Sequence, residues 1–452
     1  MKIIIVGCGK IGQTLTDVLA EEGHELVIVD EDPEVLGETE SRNDVLCVEG
    51  NGANVSVLEK AGVPKGDLLI AVTDADETNI LACMVARRLG CKRTIARISN
   101  PEYSRTVTLL RDTLGLSMTV NPERKAAAEI TRILRYPSFL KRDSFAKGRA
   151  EIVELPVTAG SRLDGETLMH INGLLKDHVL VCAVARGDEV FIPGGSFQLK
   201  AGDHIYVTAP TQTLLNLTRL MGIKMPGIRS VMLVGGSNIS VFLSQMLTAS
   251  GISVKLVEKD KERCAELATL LPEAEIVHGD GAHFATLQSE GIEETDAFIA
   301  LTDMDELNML ISMYANRLKV PKVITKINRT GYRELLPASD SQTVVSPRAL
   351  TGSDILRYVR AMENRSGGMV TLHRLVNERV EALEFKVTDA TLHTGVPLRE
   401  LSIKKNILVA LIANDNGVSV PNGLSSFMPG DMVTVVTTAD RHFNDLNDIF
   451  EE

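Results

Sequence analysis

At 452 residues, the chain is too long for one ordinary domain, and its 44% hydrophobic and 24% charged residues are typical of globular proteins. Its core must be aliphatic, because Trp is absent and aromatic residues make up 4% of the chain. The net charge of −12 argues against non-specific binding to nucleic acid, which needs an excess of Lys and Arg. We expect no signal peptide and no transmembrane segment, since no apolar run approaches the roughly 20 residues that span a bilayer.

A strand, a turn, a helix and a second strand follow one another at the start of the chain. Ile3–Val6 is a short apolar run typical of a buried parallel strand, and the glycine-rich turn Gly7–Gly12 follows at once. Gln13–Glu22 has apolar residues at helical spacing. Glu25–Val29 is the next predicted strand, and it is followed by the acidic residue Asp30. This order is typical of the first unit of a dinucleotide-binding fold.

The glycines and the acid each have a role in that interpretation. Gly7 permits the tight turn, Gly9 lets the backbone approach a pyrophosphate, and Gly12 lets the helix pack against the strand. Asp30 would accept the ribose hydroxyls and repel a 2′-phosphate, which favours NAD over NADP. The alternative is that the glycines serve only a tight turn. The remaining residues predicted to contact the cofactor at the helix N-terminus are Cys8, Lys10 and Ile11.

Further strands alternate with helical stretches, which predicts a doubly wound parallel sheet. The predicted strands are Val45–Val48, Leu68–Val72, Arg93–Ile98 and Ser117–Val120. Ligands of such sheets lie at the carboxyl ends of the strands, where this sequence has Asn51, Thr73, Asp74 and Arg97. Thr73 would bond a phosphate or ribose, and Arg97 would neutralise phosphate charge. Asp76 and Glu77 are interpreted as helix-capping acids in preference to ligand contacts.

A helix and a small domain follow the predicted sheet. Glu123–Tyr136 is strongly helical, and it is either a crossover or dimerisation helix or an ordinary sixth helix of the fold. Residues 150–222 hold several short strands and turns, which indicates a small α+β domain without a cluster of acid, base or nucleophile. The cysteines, of which none has C-x-x-C or zinc-site spacing, predict buried reduced thiols of a cytosolic protein and no metal site.

The whole arrangement is repeated in the second half of the chain. Ala71–Leu81 returns as Ala300–Leu310, and Val190–Asp203 parallels Val418–Asp431. Such colinear similarity indicates a duplication with two Rossmann-like parallel sheets, each followed by a small α+β domain. The predicted domains are 1–136, 137–224, 225–362 and 363–452.

The second glycine turn is altered. Gly7 aligns with Gly235, but Gly9 and Gly12 are replaced by Ser237 and Ser240, so a side chain stands where the backbone would meet a pyrophosphate. The predicted ligand residues of this copy are Gly235, Ser237, Asn238, Ile239, Glu258, Asp280, Thr302, Asp303 and Lys326. Two alternatives remain open from the sequence: weaker or different occupancy, such as a mononucleotide, or a purely structural copy.

Taken together, the glycine turn, Asp30, Gly50–Gly52, Thr73–Asn79 and Arg97 resemble the RCK/KTN domains, ligand-sensing regulators of potassium channels and transporters. The resemblance covers nearly the whole chain. It implies regulation by NAD(H) and by ATP or ADP, assembly into a ring, expected to be a homotetramer, and a peripheral position on the cytoplasmic membrane face. The implied partner is a separate membrane subunit that translocates potassium.

Two other function classes compete with a regulatory sensor. An NAD-dependent oxidoreductase would need an acid/base group beside the nicotinamide, and no local constellation orients His170, His178 or His204 for that role. A scaffold without nucleotide is disfavoured by the intact first turn and Asp30. We therefore predict a non-enzymatic protein with no catalytic residues.

Overall fold

A computed structural model describes residues 1–135, 142–145, 150–175, 178–187, 189–222, 227–329, 332, 342–363, 369–376, 379–415, 417–438, 443 and 445–451. The chain divides into two compact units. The first, which we call the Rossmann unit, contains Met1–Arg135 and Gly227–Leu356. The second, which we call the accessory unit, contains Tyr136–Pro226 and Arg357–Glu452.

The first copy of the repeat opens with a six-stranded parallel sheet. Its strands are β1 (Lys2–Val6), β2 (Glu25–Asp30), β3 (Leu46–Glu49), β4 (Leu68–Ala71), β5 (Arg93–Arg97) and β6 (Met118–Val120). Its helices are α1 (Lys10–Glu21), α2 (Pro33–Arg42), α3 (Val55–Lys60), α4 (Asp76–Leu89), α5 (Pro101–Leu110) and α6 (Pro122–Arg135). The strand order β3-β2-β1-β4-β5-β6 is the one found in dinucleotide-binding folds. It confirms the predicted fold class, with strand ends shifted by one or two residues.

In the accessory unit, the first copy continues with an antiparallel sheet. Its elements are β7 (Arg142–Phe145), β8 (Ala150–Pro156), α7 (Leu168–Leu174), β9 (Leu180–Arg186), β10 (Glu189–Phe191), β11 (His204–Thr208) and α8 (Thr211–Leu220). The strands are ordered β10-β9-β11-β8-β7.

The second Rossmann copy repeats the first strand by strand. Its strands are β12 (Ser230–Val234), β13 (Ser253–Glu258), β14 (Glu275–His278), β15 (Ala297–Ala300), β16 (Lys322–Lys326) and β17 (Gln342–Val345). Its helices are α9 (Asn238–Thr248), α10 (Lys261–Leu270), α11 (Phe284–Ser289), α12 (Asp305–Arg317) and α13 (Pro347–Glu363). The order β14-β13-β12-β15-β16-β17 matches that of the first sheet.

The second accessory sheet is also antiparallel. Its strands are β18 (Met369–Leu375), β19 (Val380–Lys386), β20 (Ile407–Asn414), β21 (Gly417–Ser419) and β22 (Met432–Thr438), in the order β18-β19-β22-β20-β21. The two accessory sheets share one hydrophobic core, in which Phe145, Ile152 and Cys182 of the first pack with Leu375 and Val436 of the second.

Helix α6 joins the two Rossmann copies. Its buried residues Ala126, Ala127, Ile130 and Leu134 lie in the same core as Phe242 and other residues of α9 and the second sheet. Lys125 on this helix pairs with Asp354 on α13, with 2.9 Å between Nζ and Oδ2. The helix follows β6, as a sixth helix of the fold would, and its apolar stripe is buried by the other copy of the same chain.

The cores are aliphatic, as expected, and Ile3, Ile4 and Ile5 of β1 are fully buried. All six cysteines are free thiols, of which Cys47 is half-buried and the others are buried. Across the part of the chain that the structure describes, no helix combines the length and the apolarity that a membrane crossing requires.

Candidate nucleotide sites

The first glycine turn has the geometry of a phosphate-binding turn. Gly7 has φ 96°, and a Cβ at this position would stand 2.8 Å from the backbone nitrogen of Thr73. A Cβ on Gly12 would overlap the carbonyl oxygen of Gly7. By contrast, no described atom lies within 4 Å of a Cβ built on Gly9. The turn is thus closed on the protein side and open on the side where a pyrophosphate would approach the backbone.

Asp30 is bonded to the turn that it would serve. One carboxylate oxygen accepts the backbone N–H of Cys8 at 2.5 Å, and the other accepts that of Asp32 at 3.0 Å. These bonds hold the end of β2 against the turn and keep the carboxylate in place. A ribose hydroxyl would use the lone pairs that remain on the same two oxygens.

The other predicted residues of this turn contribute unequally. The Cys8 side chain is fully buried, with its Sγ 3.1 Å from Thr39 Oγ1, and burial raises the pKa of the thiol. Ile11 is also buried, at 7% exposure. Cys8 and Ile11 therefore offer backbone groups alone, whereas Lys10 is exposed at the N-terminus of α1.

A buried amide organises the carboxyl ends of β4 and β5. Asn79, which is fully buried, accepts the backbone N–H of Thr73 at 2.9 Å and the Thr73 hydroxyl at 2.8 Å. Its amide nitrogen donates to the carbonyl oxygens of Thr73 at 3.0 Å and Arg97 at 3.1 Å. Because the hydroxyl proton of Thr73 is used by Asn79, Thr73 is suited to accept from a ribose hydroxyl more than to donate to a phosphate. This role of Asn79 is not apparent from the residue pattern.

Arg97 is already paired with carboxylates. Its Nη1 lies 2.8 Å from Asp74 Oδ1, and its Nη2 lies 3.1 Å from Glu123 Oε1. Asp74 is fully exposed, while Glu123, on α6, is largely buried and its Oε2 has no hydrogen-bond partner among the described residues. A phosphate that used Arg97 would compete with both carboxylates. Glu123 was not predicted as a site residue, because its contact with Arg97 forms only when α6 packs beside the end of β5.

Asn51 and Asp76 stabilise loops around the site. The Asn51 amide nitrogen donates to Glu31 Oε1 at 2.8 Å, and its oxygen accepts the N–H of Ala53. Asp76 accepts the backbone N–H groups of Ser99 at 2.9 Å and Asn100 at 2.8 Å. Asp76 thus holds the loop after β5, a role that differs from the predicted helix capping.

The second turn keeps its shape with different chemistry. Gly235 has φ 101°, like Gly7. The Ser240 hydroxyl donates to the carbonyl oxygen of Gly235, and the Ser237 hydroxyl lies 3.4 Å from the Ser240 hydroxyl. Both serines therefore fit the turn, and Ser240 fills the place where the first copy has room for glycine alone.

A second exchange of residues compensates for the longer acid of this copy. Glu258 Oε2 accepts the N–H of Gly236 at 2.5 Å, and its Oε1 accepts that of Asp260 at 2.8 Å, which repeats the bonding of Asp30. A Cβ on Gly236 would lie 2.9 Å from Glu258 Oε2. Glycine in place of Cys8 therefore leaves room for the additional methylene of Glu258.

The second copy has a cavity of about 370 Å³ at its glycine turn. Among the predicted residues of the second copy, the ones that line it are Gly235, Ser237, Glu258, Asp280, Thr302 and Asp303. Asp280 accepts the N–H of Ala282 at 2.9 Å. Of the remaining predicted residues, Asn238 lies at the start of α9, and Ile239 is 4% exposed and lies in the core.

The frame of the first site recurs around Thr302 and Lys326. Asn308, fully buried, bonds Thr302 and the carbonyl oxygen of Lys326 with the same distances as Asn79 has in the first copy. Lys326 is 6% exposed, and its Nζ lies 3.5 Å from Asp303 Oδ1. Burial lowers the pKa of Lys326, and the nearby carboxylates of Asp303, Asp305 and Glu123 oppose this shift. Glu123 therefore acts electrostatically on the cations of both copies.

Two histidines of the accessory unit lie beside carboxylates. His204 Nδ1 lies 2.9 Å from Glu154 Oε1, and the exposed His170 lies 3.9 Å from Glu166 Oε2. Within the described residues, no group of three or more His, Cys, Asp or Glu could hold a metal ion.

Sequence comparison finds full-length relatives. The TrkA-N domain model matches residues 3–122 and 231–347, and the TrkA-C domain model matches residues 152–222. Trk system potassium uptake protein TrkA homolog 1 of Methanosarcina mazei is 31% identical over 447 residues, which cover 97% of this chain and 98% of that protein. Trk system potassium uptake protein TrkA of Halomonas elongata is 30% identical over 461 residues, 100% of this chain and 99% of that protein.

Solved structures share the fold at lower identity. The GsuK channel bound to NAD aligns with a TM-score of 0.62 and 18% identity, over 97% of this chain and 77% of that chain. GsuK bound to ADP aligns with a TM-score of 0.51 and 14% identity, over 80% and 69%. With matched domain models over more than half of its length, the chain belongs to the family of TrkA-N and TrkA-C domain proteins, and the resemblance to RCK/KTN domains is confirmed.

Proposed function

We propose that this protein is a nucleotide-sensing regulatory subunit of a Trk-type potassium-uptake system. In this role it binds NAD(H), and ATP or ADP, on the cytoplasmic side of the membrane. It controls a separate membrane subunit that translocates potassium. The relatives named above carry the potassium-uptake part of the proposal, since they match the chain over its full length.

The open side of the first glycine turn carries the nucleotide part. Gly9 leaves free space against the backbone at the N-terminus of α1, where no described side chain caps the helix. Asp30 is held beside the turn with an acidic group that suits ribose hydroxyls. A pyrophosphate at this turn would receive backbone N–H bonds and the favourable helix dipole. The NAD-bound GsuK channel, which shares the fold, supports this assignment.

We assign a second nucleotide site to the cavity of the second copy. Ser237 and Ser240 stay within the turn, and Glu258 repeats the bonding of Asp30. This arrangement favours real occupancy over a purely structural copy. The ADP-bound GsuK structure supports an adenine nucleotide as its ligand class.

The signal would pass through a ring of identical subunits, for which we propose a tetramer. Moving a two-state ring from 1:99 to 99:1 takes about 5.5 kcal/mol of differential binding. Shared over four equivalent sites, that is roughly 1.4 kcal/mol each, about tenfold in affinity per site. Modest sites therefore suffice when the ring changes state as one body.

The experiment combines binding with transport. Titration calorimetry with NAD, NADH, ADP and ATP on the purified full chain should show binding of at least one dinucleotide and one adenine nucleotide. Potassium uptake by vesicles that contain the membrane subunit should then change when protein and nucleotide are added together. A chain that binds none of the four nucleotides would overturn the proposal. NADH turnover with a substrate, abolished by one histidine substitution, would favour the oxidoreductase alternative.

A further inference from the structure

The two nucleotide sites differ in where they place positive charge beside the glycine turn. In the first copy, Lys10 is the first residue of α1, and Val35 lies on α2. The repeat aligns these positions with Asn238 at the start of α9 and Arg263 on α10. The first copy thus has its cation, Lys10, on the helix that follows the glycine turn. The second copy has its cation, Arg263, on the helix that follows Glu258. Whether Arg263 can act at the nucleotide site depends on the position of its guanidinium.

Arg263 reaches back to the glycine turn. Its Nε donates to the carbonyl oxygen of Gly236 at 2.8 Å, and its Nη1 lies 2.8 Å from Glu266 Oε2. The remaining nitrogen, Nη2, has a contact of 3.5 Å with Asn238 Oδ1 at the first residue of α9. The guanidinium thus lies against the turn with its least engaged edge at the helix N-terminus.

The same loop positions Arg263 and the ribose-binding acid. Glu258 Oε1 accepts the N–H of Asp260, and Asp260 in turn accepts the N–H of Arg263 at 2.8 Å. These bonds fix the backbone at the start of α10, and the guanidinium itself is held by Gly236, whose N–H bonds Glu258. The acid and the cation thus both lie at the glycine turn, where a ribose and a phosphate of one nucleotide could meet them.

The charges that line the cavity favour a cation beside the glycine turn. The cavity lining includes four carboxylates, from Glu258, Asp260, Asp280 and Asp303. Lys326 is buried and faces Asp303. Two cations, Lys259 and Arg263, also line the cavity. Of these two, Arg263 is the one whose side chain bonds the glycine turn, so a phosphate at the turn would meet its charge.

We infer that Arg263 is a phosphate-binding and specificity-determining residue of the second site, where it replaces Lys10 of the first. The inference rests on the proposed nucleotide binding by the second copy. Arg263 selects a phosphorylated adenine nucleotide over the nucleoside, because the loosely engaged Nη2 edge can give a charge-assisted hydrogen bond to a phosphate oxygen.

The test compares ADP with adenosine on the full chain carrying Asp30→Ala, so that the second site dominates. We expect Arg263→Gln to weaken ADP binding about tenfold or more while adenosine affinity, measured by displacement of ADP, changes less than about twofold. Arg263→Lys should restore part of the ADP affinity. Lys261→Gln removes the same charge from an exposed position of α10 and should leave both affinities unchanged.

The outcomes separate this inference from the proposed function. Equal losses for ADP and adenosine would mean that Arg263 only supports the turn through Gly236, and no loss would mean that it has no role; either overturns the inference. Glu258→Ala should weaken both ligands, which shows occupancy of the second site independently of Arg263. If ADP does not bind the Asp30→Ala chain, or if Glu258→Ala leaves both affinities unchanged, nucleotide binding by the second copy fails, and the inference fails with it.

Discussion

The two Rossmann copies differ in the residues that face a ligand and agree in the residues that hold the site open. Asn79 and Asn308 make the same four bonds, and Asp30 and Glu258 tie the same turn to the same strand end. Changes at the turn compensate one another. The first copy has Cys8 with Asp30, and the second has Gly236, which leaves room for the longer side chain of Glu258. A duplicated site can therefore change its ligand chemistry while its buried frame stays the same.

The glycine turns offer the largest contrast. Gly12→Ser should lower the free energy of unfolding by about 3 kcal/mol, because the new Cβ would overlap the carbonyl oxygen of Gly7. Ser240→Gly in the second copy should cost about 1 kcal/mol, from one lost hydrogen bond and a glycine within α9. Urea unfolding of the full chain measures both. Similar small losses would mean that the two turns are interchangeable.

The buried amides should respond alike. Asn79→Leu and Asn308→Leu should each lower the free energy of unfolding by about 2 kcal/mol, because backbone groups of Thr73 or Thr302 lose their buried partners. Each variant should also weaken nucleotide binding in its own copy. The two losses are compared by chemical denaturation. A large loss in one copy and none in the other would contradict a shared frame.

Substitutions of Asp30 and Glu258 should have different effects on NAD affinity. Asp30→Ala should weaken NAD binding about tenfold, or ~1.4 kcal/mol, by removing the ribose acceptor. Asp30→Asn keeps one acceptor oxygen and should lose less. Glu258→Ala should leave NAD binding by the first site unchanged. Titration calorimetry decides the matter, and unchanged NAD affinity in Asp30→Ala would remove Asp30 from the site.

The strand-end cations should differ in their dependence on pH. Because burial lowers the pKa of Lys326 below 10.5, the unfolded chain binds this proton more tightly than the folded chain does. The free energy of unfolding therefore rises with pH between the pKa of Lys326 in the folded chain and 10.5. Below that range, the folded chain bears the full destabilisation from the buried charge. Lys326→Met should be more stable than the wild type by about 1 kcal/mol at neutral pH, with the difference shrinking as pH rises.

Arg97→Met is the matched variant for that measurement. It leaves the largely buried Glu123 without its cation, and so we expect destabilisation by about 1 kcal/mol near neutral pH. Thermal or urea unfolding across the pH range compares the two variants. A stability gain in Arg97→Met, or none in Lys326→Met, would show that the two cations are not distinguished by burial and pairing in this way.

Much of the fold could be predicted from residue order. Apolar runs of strand length, the glycine turn and the repeated Thr73–Asn79 segment were enough for two doubly wound sheets with small domains after them. The roles of Asn79, Glu123 and Arg263 could not be predicted. Each depends on the meeting of elements that are distant in sequence, such as α6 with β5 or α10 with the second turn.

The sequence by itself determined the duplication, the sheet type and the inequality of the two turns, because these depend on local patterns and on which positions lack a Cβ. The tertiary structure decided what those residues face. It closed α6 onto the second copy, paired Arg97 with two carboxylates, buried Lys326, and placed Arg263 against the second turn. These outcomes depend on distances between side chains that only the packed sheets bring together.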